Sequence, residues 1–222
     1  FILDDSLIVS SYYTDGITIH DMSRPQNLVE IANYDTHPLE NGTFNGSWGA
    51  YPFLPSGLQL ASDISEGLFI LQPTIVKPGY YEGLVRDASN LNPLTDVSVT
   101  INNNPHSDLS NAQGEYAVGT MLNGAQSVTF YKVAYYPQTI MVNFTTGVLL
   151  MDTIDLVPIP PFSLMVVVQD QNGNPIIDAD VRIEVPQMIQ EEPTNGFGES
   201  DFQLYYPGNS TVTAGKWGYK TN

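Results

Sequence analysis

The side chains able to do chemistry are few and scattered. The three histidines, His20, His37 and His106, lie far apart, and none stands at an H-x-x-E or H-E-x-x-H spacing that would hold a metal ion. His20-Asp21 with Ser23 close by has the residue types of a nucleophilic triad. Neighbours in a strand point to opposite faces, so the pair cannot form a triad by itself, and structural or turn roles are expected. Asp170-Gln171-Asn172-Gly173-Asn174 places oxygen donors at alternate positions, as the start of a calcium loop does, which makes Asp170, Asn172 and Asn174 candidate metal ligands. The glutamate that would complete such a loop is missing, so a hairpin turn is the favoured reading and no cofactor is expected. Asp4-Asp5 and Glu191-Glu192 could attract hard cations by charge alone, but solvated loops explain them as well. Tyr12, Tyr13, Trp48, Tyr51 and Phe53 offer rings that could stack on sugars. Trp48, Tyr51 and Phe53 are the candidate ligand contacts, set against burial in a core. Four Asn-x-Ser/Thr triplets, at Asn41, Asn45, Asn143 and Asn209, would accept sugar in a glycosylating host.

The elements that must position these residues are strands. The chain has 222 residues, 42% of them apolar and 11% aromatic, which is enough for packed cores. Seven basic residues against 24 acidic ones give a net charge of -17. That excludes binding to nucleic acid or to anionic membrane by bulk electrostatics. No apolar run approaches the roughly 18 residues of a membrane span, and no signal-like segment opens the chain. There is no cysteine, so no disulfide framework and no thiol chemistry, a composition that fits an exported bacterial protein. Phe1-Ile2-Leu3 reads as the middle of something longer. Up to residue 72 the chain is a series of β-rich runs, 6–13, 16–22, 28–34, 49–54, 58–63 and 67–72. Turn signals such as Thr14-Asp15-Gly16 and Pro55-Ser56-Gly57 separate them. Residues 73–79, with Pro73 and Pro78, read as a short stiff linker.

Beyond the linker the chain repeats itself. Pro93, Asp96 and Ile101 return as Pro175, Asp178 and Ile183 at an offset of 82; Asn111, Gly114, Lys132 and Tyr135 return as Asn195, Gly198, Lys216 and Tyr219 at an offset of 84. Apolar residues alternate along Val97-Ser98-Val99-Thr100-Ile101 and Ala179-Asp180-Val181-Arg182-Ile183, which is the period of a half-buried strand. Asn92-Pro93 and Asn172-Gly173-Asn174 close tight turns, and Gly114 and Gly198 offer positive φ before the next strand. After Tyr135 the first copy continues through strands at 139–144 and 148–156, to which nothing in the second copy corresponds.

Two resemblances follow from these residues. Tyr13-x-x-Gly16-Ile17-x-Ile19-x-Asp21-Met22-Ser23-x-Pro25, then Tyr34-Asp35-Thr36, Trp48-Gly49-x-Tyr51-Pro52-x-Leu54-Pro55-Ser56-Gly57 and Ala61-Ser62-Asp63-Ile64-x-x-Gly67-Leu68-Phe69 resemble the end of the LVIVD-repeat β-propellers of the choice-of-anchor B family. The resemblance implies about one and a half blades, where a closed ring needs at least four. Val85-Arg86-Asp87, Asn92-Pro93-Leu94, Val97, Val99, Asn111, Gly114, Tyr116 and Tyr135 resemble the carboxypeptidase regulatory-like domain, a transthyretin-like β-sandwich. So do Val168-Gln169-Asp170, Asn174-Pro175-Ile176, Val181, Asn195, Gly198, Phe202 and Gly218-Tyr219. The first copy departs from the pattern in having Ala134 where the family usually has glycine. What is resembled is the non-catalytic appendage of the carboxypeptidases, whose zinc ligands are absent. The families imply a secreted or cell-surface bacterial protein of Bacteroidetes type. In that setting Asp5-Ser6-Leu7 and Asp152-Thr153-Ile154 resemble O-glycosylation motifs, with Ser6 and Thr153 as acceptors.

The expected architecture is all-β: partial propeller blades at 1–72, the linker at 73–79, a sandwich at 80–158 and a second, truncated sandwich at 159–222. The expected function is that of a non-catalytic extracellular structural or adhesion protein whose sandwiches act as spacers. The alternatives are a filament subunit assembled by strand complementation and a glycan- or calcium-binding module. Partners are expected to be other chains, or missing parts of this one, that complete the sheets; glycans are possible partners, and nucleic acid and membrane insertion are not expected.

Overall fold

A computed structural model of the chain describes residues 1–38, 44–102, 104, 107–185, 188–205 and 208–219. Every regular element among them is a strand, so the all-β expectation holds. The chain divides into two compact units, Phe1–Tyr131 with Pro137–Leu156, and Lys132–Tyr136 with Val157–Asn222.

The first unit opens with two antiparallel sheets. One runs β1 (Ile2–Leu3), β2 (Leu7–Ser11), β3 (Ile17–Asp21), β4 (Val29–Tyr34), and the other β5 (Ser47–Tyr51), β6 (Gln59–Asp63), β7 (Gly67–Leu71). The run of strands read from the sequence is thus split in two, and Ile2–Leu3 adds an edge strand by pairing with Ile8 and Leu7. Alternation sends Leu7, Val9, Ile17, Ile19 and Ile31 to one face, where with Ala61 they form a buried cluster. Phe69 and Leu71 pack against that cluster from β7.

A seven-stranded sandwich completes the unit. Its strands are β8 (Gly79–Asp87), β9 (Ser98–Ile101), β10 (Ser107–Leu109), β11 (Glu115–Thr120), β12 (Gly124–Tyr131), β13 (Gln138–Phe144) and β14 (Leu149–Leu156). One sheet is ordered β10-β9-β12-β13 and the other β11-β8-β14, with β14 parallel to β8 from Leu149 opposite Tyr80 to Leu156 opposite Asp87. Val85, Val97, Val99, Ile101, Val128, Phe130 and Leu156 are wholly buried between the sheets. Tyr81 and Tyr116 are almost so, each edge-on or tilted to the other and to Phe130.

The second unit contains β15 (Phe162–Val167), β16 (Asp180–Val185), β17 (Met188–Pro193), β18 (Glu199–Leu204) and β19 (Thr211–Gly215). They form a two-stranded sheet, β15-β18, and a three-stranded one, β17-β16-β19. Strand for strand these match β8-β11 and β10-β9-β12. Among the described residues no strand of the second unit corresponds to β13 or β14.

Candidate functional site

The repeat extends to individual hydrogen bonds. Ser110 Oγ donates to Leu94 O (2.6 Å) and accepts from Val97 N (2.9 Å); Thr194 Oγ1 donates to Ile176 O (2.6 Å) and accepts from Ala179 N (2.8 Å). Asn111 Oδ1 receives the amides of Gln113 and Glu115, and Asn195 Oδ1 those of Phe197 and Glu199. Gly114 and Gly198 have φ of 76° and 75°. A Cβ would stand 2.6 Å from Val85 O in the first and 2.7 Å from Val168 O in the second, so only glycine closes the turn without displacing the strand.

The copies differ in what covers β8 and β15. In the first, β14 seals one sheet and β13 the other, leaving Val85 and Val128 with no exposed surface. In the second, the inward-facing Leu164 and Val166 of β15 and Val168 just after it are only half-buried, and Val212, which matches Val128, is 42% exposed. A cleft of about 1050 Å³ opens there, lined among others by Val168, Ile176, Val212, Ala214 and Tyr219. This cleft is the candidate site: Val168, Ile176, Val212 and Ala214 share it with the polar Gln169, Asp170, Asn172, Thr213 and Lys216, and it lies at the end of β15, whose outer edge is paired with no other described strand.

A second arrangement lies inside the first unit, where the strand β3, the turn after it and the sandwich strand β8 meet. Arg24 makes a two-pronged ion pair with Glu82, and Asn27 donates to both Glu82 Oε1 and Val118 O (each 3.0 Å). The Arg24 guanidinium holds the Glu82 carboxyl below the usual carboxylate range, against the opposing effect of burial. Tyr80 donates its hydroxyl to Asp21 (2.9 Å), which also receives Ser23. Burial pushes the Tyr80 phenol up. Nothing in the sequence joined these residues, since Arg24 and Glu82 are far apart in the chain and Arg24 sits in an ordinary turn signal.

The residues singled out from the sequence do not converge. His20 is half-buried with Nε2 3.9 Å from Glu30 Oε2, while Asp21 is buried and bonded to Ser23, so the two point apart as expected. His20 and Glu30 line a polar cleft of about 460 Å³ with Tyr12, Asp15, Asn33 and Asp35. Asp170 is half-buried and already satisfied: Oδ1 accepts from Asn172 N and Asn174 N, and Oδ2 from Asn174 Nδ2. The Asn174 side-chain bond, helped by those amides, lowers the Asp170 pKa. This is an Asx-type turn in which the expected ligands bond one another. The candidate aromatics fall in two clusters: Trp48 meets Tyr13, whose ring also meets Phe44, whereas Tyr51 meets Phe53, which meets Phe1. Thr153, Asn143 and Asn209 are exposed, Ser6 and Asn45 half-buried; Asn41 and His106 lie outside the described residues. Among the described residues no three His, Cys, Asp or Glu side chains gather as a metal site would require.

No family model matches the chain, and no curated protein matches it in sequence. Among solved structures it is similar to a streptococcal ancillary pilin, at 12% identity and a TM-score of 0.46, over 76% of this chain and 70% of that one. It is similar also to the TIE protein of Bacillus anthracis (18%, 0.32, over 75% and 37%) and to a minor pilin of Streptococcus agalactiae (13%, 0.31, over 50% and 63%). These are likenesses of overall architecture only.

Proposed function

We propose that the chain is a non-catalytic structural or adhesion part of an extracellular, cell-surface protein, in which a propeller end is followed by sandwich spacers. The observation that carries this reading is the junction inside the first unit. Arg24, Glu82, Asn27, Asp21 and Tyr80 tie the opening sheets to the sandwich through charge-assisted bonds between buried or half-buried groups. Gly119 stands so close to Val29 that a Cβ would lie 2.5 Å from its Cγ2. A joint of that kind resists bending, which suits a spacer. The resemblances to the LVIVD propellers and to the carboxypeptidase regulatory-like domain support it, as does the acidic surface. Exposed Thr153, Asn143 and Asn209 are open to sugar attachment in a host that supplies it.

The test is a panel of glycosidase, esterase and peptidase substrates, with surface labelling of intact source cells by an antibody to the chain. Labelling without turnover is the expected result; a turnover abolished by His20→Ala would contradict it. Because the Asp170 oxygens are held by their own turn, EDTA is expected to leave the melting temperature unchanged.

A further inference from the structure

We propose that the polar cleft on the outer face of the first sheet binds a linear oligoamine, a small ligand with ammonium groups at both ends of an aliphatic chain. The cleft, about 460 Å³, lies over β3 and β4, where Thr18 pairs with Asn33 and His20 with Glu30. Alternation puts these side chains on the face turned away from the buried Ile17 and Ile19. The acids of the cleft stand at its two ends. Glu30 is at one, with His20 Nε2 3.9 Å from its Oε2. Asp15 and Asp35 are together at the other, because Gly16 lies directly against the Asp35 backbone. Five residues of extended chain separate Glu30 from Asp35, about 16 Å at the rise of a strand. A single metal ion does not span that distance, and among the described residues no three His, Cys, Asp or Glu side chains gather round one point. A ligand with separated positive charges does span it.

A second observation points the same way. Thr18, between the two ends, is 5% exposed and lines the cleft, yet its Oγ1 has no hydrogen-bond partner. A buried hydroxyl left unpaired is costly, and an ammonium group laid along the cleft donates to it. Tyr12, 54% exposed at the rim, adds a ring for the cation to meet. The lining also argues against a packed apolar layer as the occupant, which would strip Asp15, Glu30 and Asp35 of water without pairing them. A neutral sugar likewise leaves the three carboxylates unbalanced.

The site is independent of the structural reading, which stands whether or not the cleft is filled. The test is calorimetric titration of the chain with spermine, set beside butylamine, cellotetraose and calcium. Saturable one-to-one binding of spermine is expected, about tenfold or more tighter than butylamine, since both ends of the cleft are engaged instead of one. Glu30→Gln and Asp35→Asn should each weaken it about two- to fivefold, these pairs being screened by solvent. Thr18→Val keeps the shape and removes a hydroxyl without a partner, so it should weaken binding about fivefold and leave the melting temperature unchanged or higher. Glu191→Gln, in the second unit, should leave spermine binding as it was. No binding by a folded chain overturns the proposal. Equal affinity for butylamine, or a loss with Glu191→Gln as large as with Glu30→Gln, overturns it by reducing the effect to the bulk charge of the chain. A lower melting temperature with unchanged binding in Thr18→Val overturns it by making the hydroxyl structural. Tighter binding of cellotetraose or calcium that Glu30→Gln weakens overturns it by making a sugar or a metal ion the occupant.

Discussion

The two sandwiches share turns, registers and buried hydroxyl bonds, yet Val85 and Val128 are sealed in one while Val168 and Val212 remain partly in water in the other. The difference shows which features a sandwich of this type needs in order to form its ladders and which it needs in order to close its core. The β9-β10-β11 loop geometry, with Ser110 or Thr194 at its centre, is present in both copies and does not depend on the last two strands. Burial of the β8 and β12 side chains does depend on them.

The comparison can be broken most severely in the core. Phe130→Ala, at a fully buried ring, is expected to cost about 3–5 kcal/mol in denaturant unfolding of the first unit. The second copy already has Ala214 at the matching position, so a similar loss there would have to come from elsewhere. Val128→Ala and Val212→Ala sharpen the contrast: about 1–3 kcal/mol for the first, and well under about 1 kcal/mol for the exposed Val212. Ser110→Ala and Thr194→Val are the control, since each leaves a buried amide and carbonyl without a partner. Both are expected to cost about 1–3 kcal/mol, and unequal losses would show that the copies are not equivalent even in their shared half.

A smaller effect separates the units by pH. The Glu82 carboxyl has its pKa lowered in the folded state, so its contribution to stability is present above the ordinary glutamate value near about 4.3 and is lost as pH falls through the lower folded value. Arg24→Met should cost about 1 kcal/mol at neutral pH, the partly exposed guanidinium being screened by solvent, and should flatten the acid limb of the first unit's stability curve. The second unit should be unaffected. A change of the opposite sign is expected at Ala134, which has φ of 70° where the second copy has Gly218 at 92°. Ala134→Gly should stabilise by up to about 1 kcal/mol, as relief of the left-handed strain is partly offset by the freer unfolded chain.

Much of this was legible in the sequence because the repeat is written in residues with strict backbone demands. Gly114 and Gly198 occupy the positive-φ turns that their spacing implied, and the strands expected at 139–144 and 148–156 are β13 and β14. Other features depended on distance that no local pattern encodes. The Arg24-Glu82 pair joins a turn to a strand across the fold, and neither residue stood out in its own segment. Trp48, Tyr51 and Phe53 are close in sequence, but the β5-β6 register shifts between Ser47 and Gly49, and the aromatic rings belong to two clusters.

Residue-resolved amide hydrogen exchange along β8 and β15 tests the central claim most directly. Slow exchange is expected at every β8 position from Tyr80 to Arg86, with alternation along β15 and the residue after it: slow at Leu164, Val166 and Val168, fast at Ser163, Met165 and Val167. Uniform protection along β15 would contradict an open edge, and with it the account of β15 as paired on one side only among the described strands.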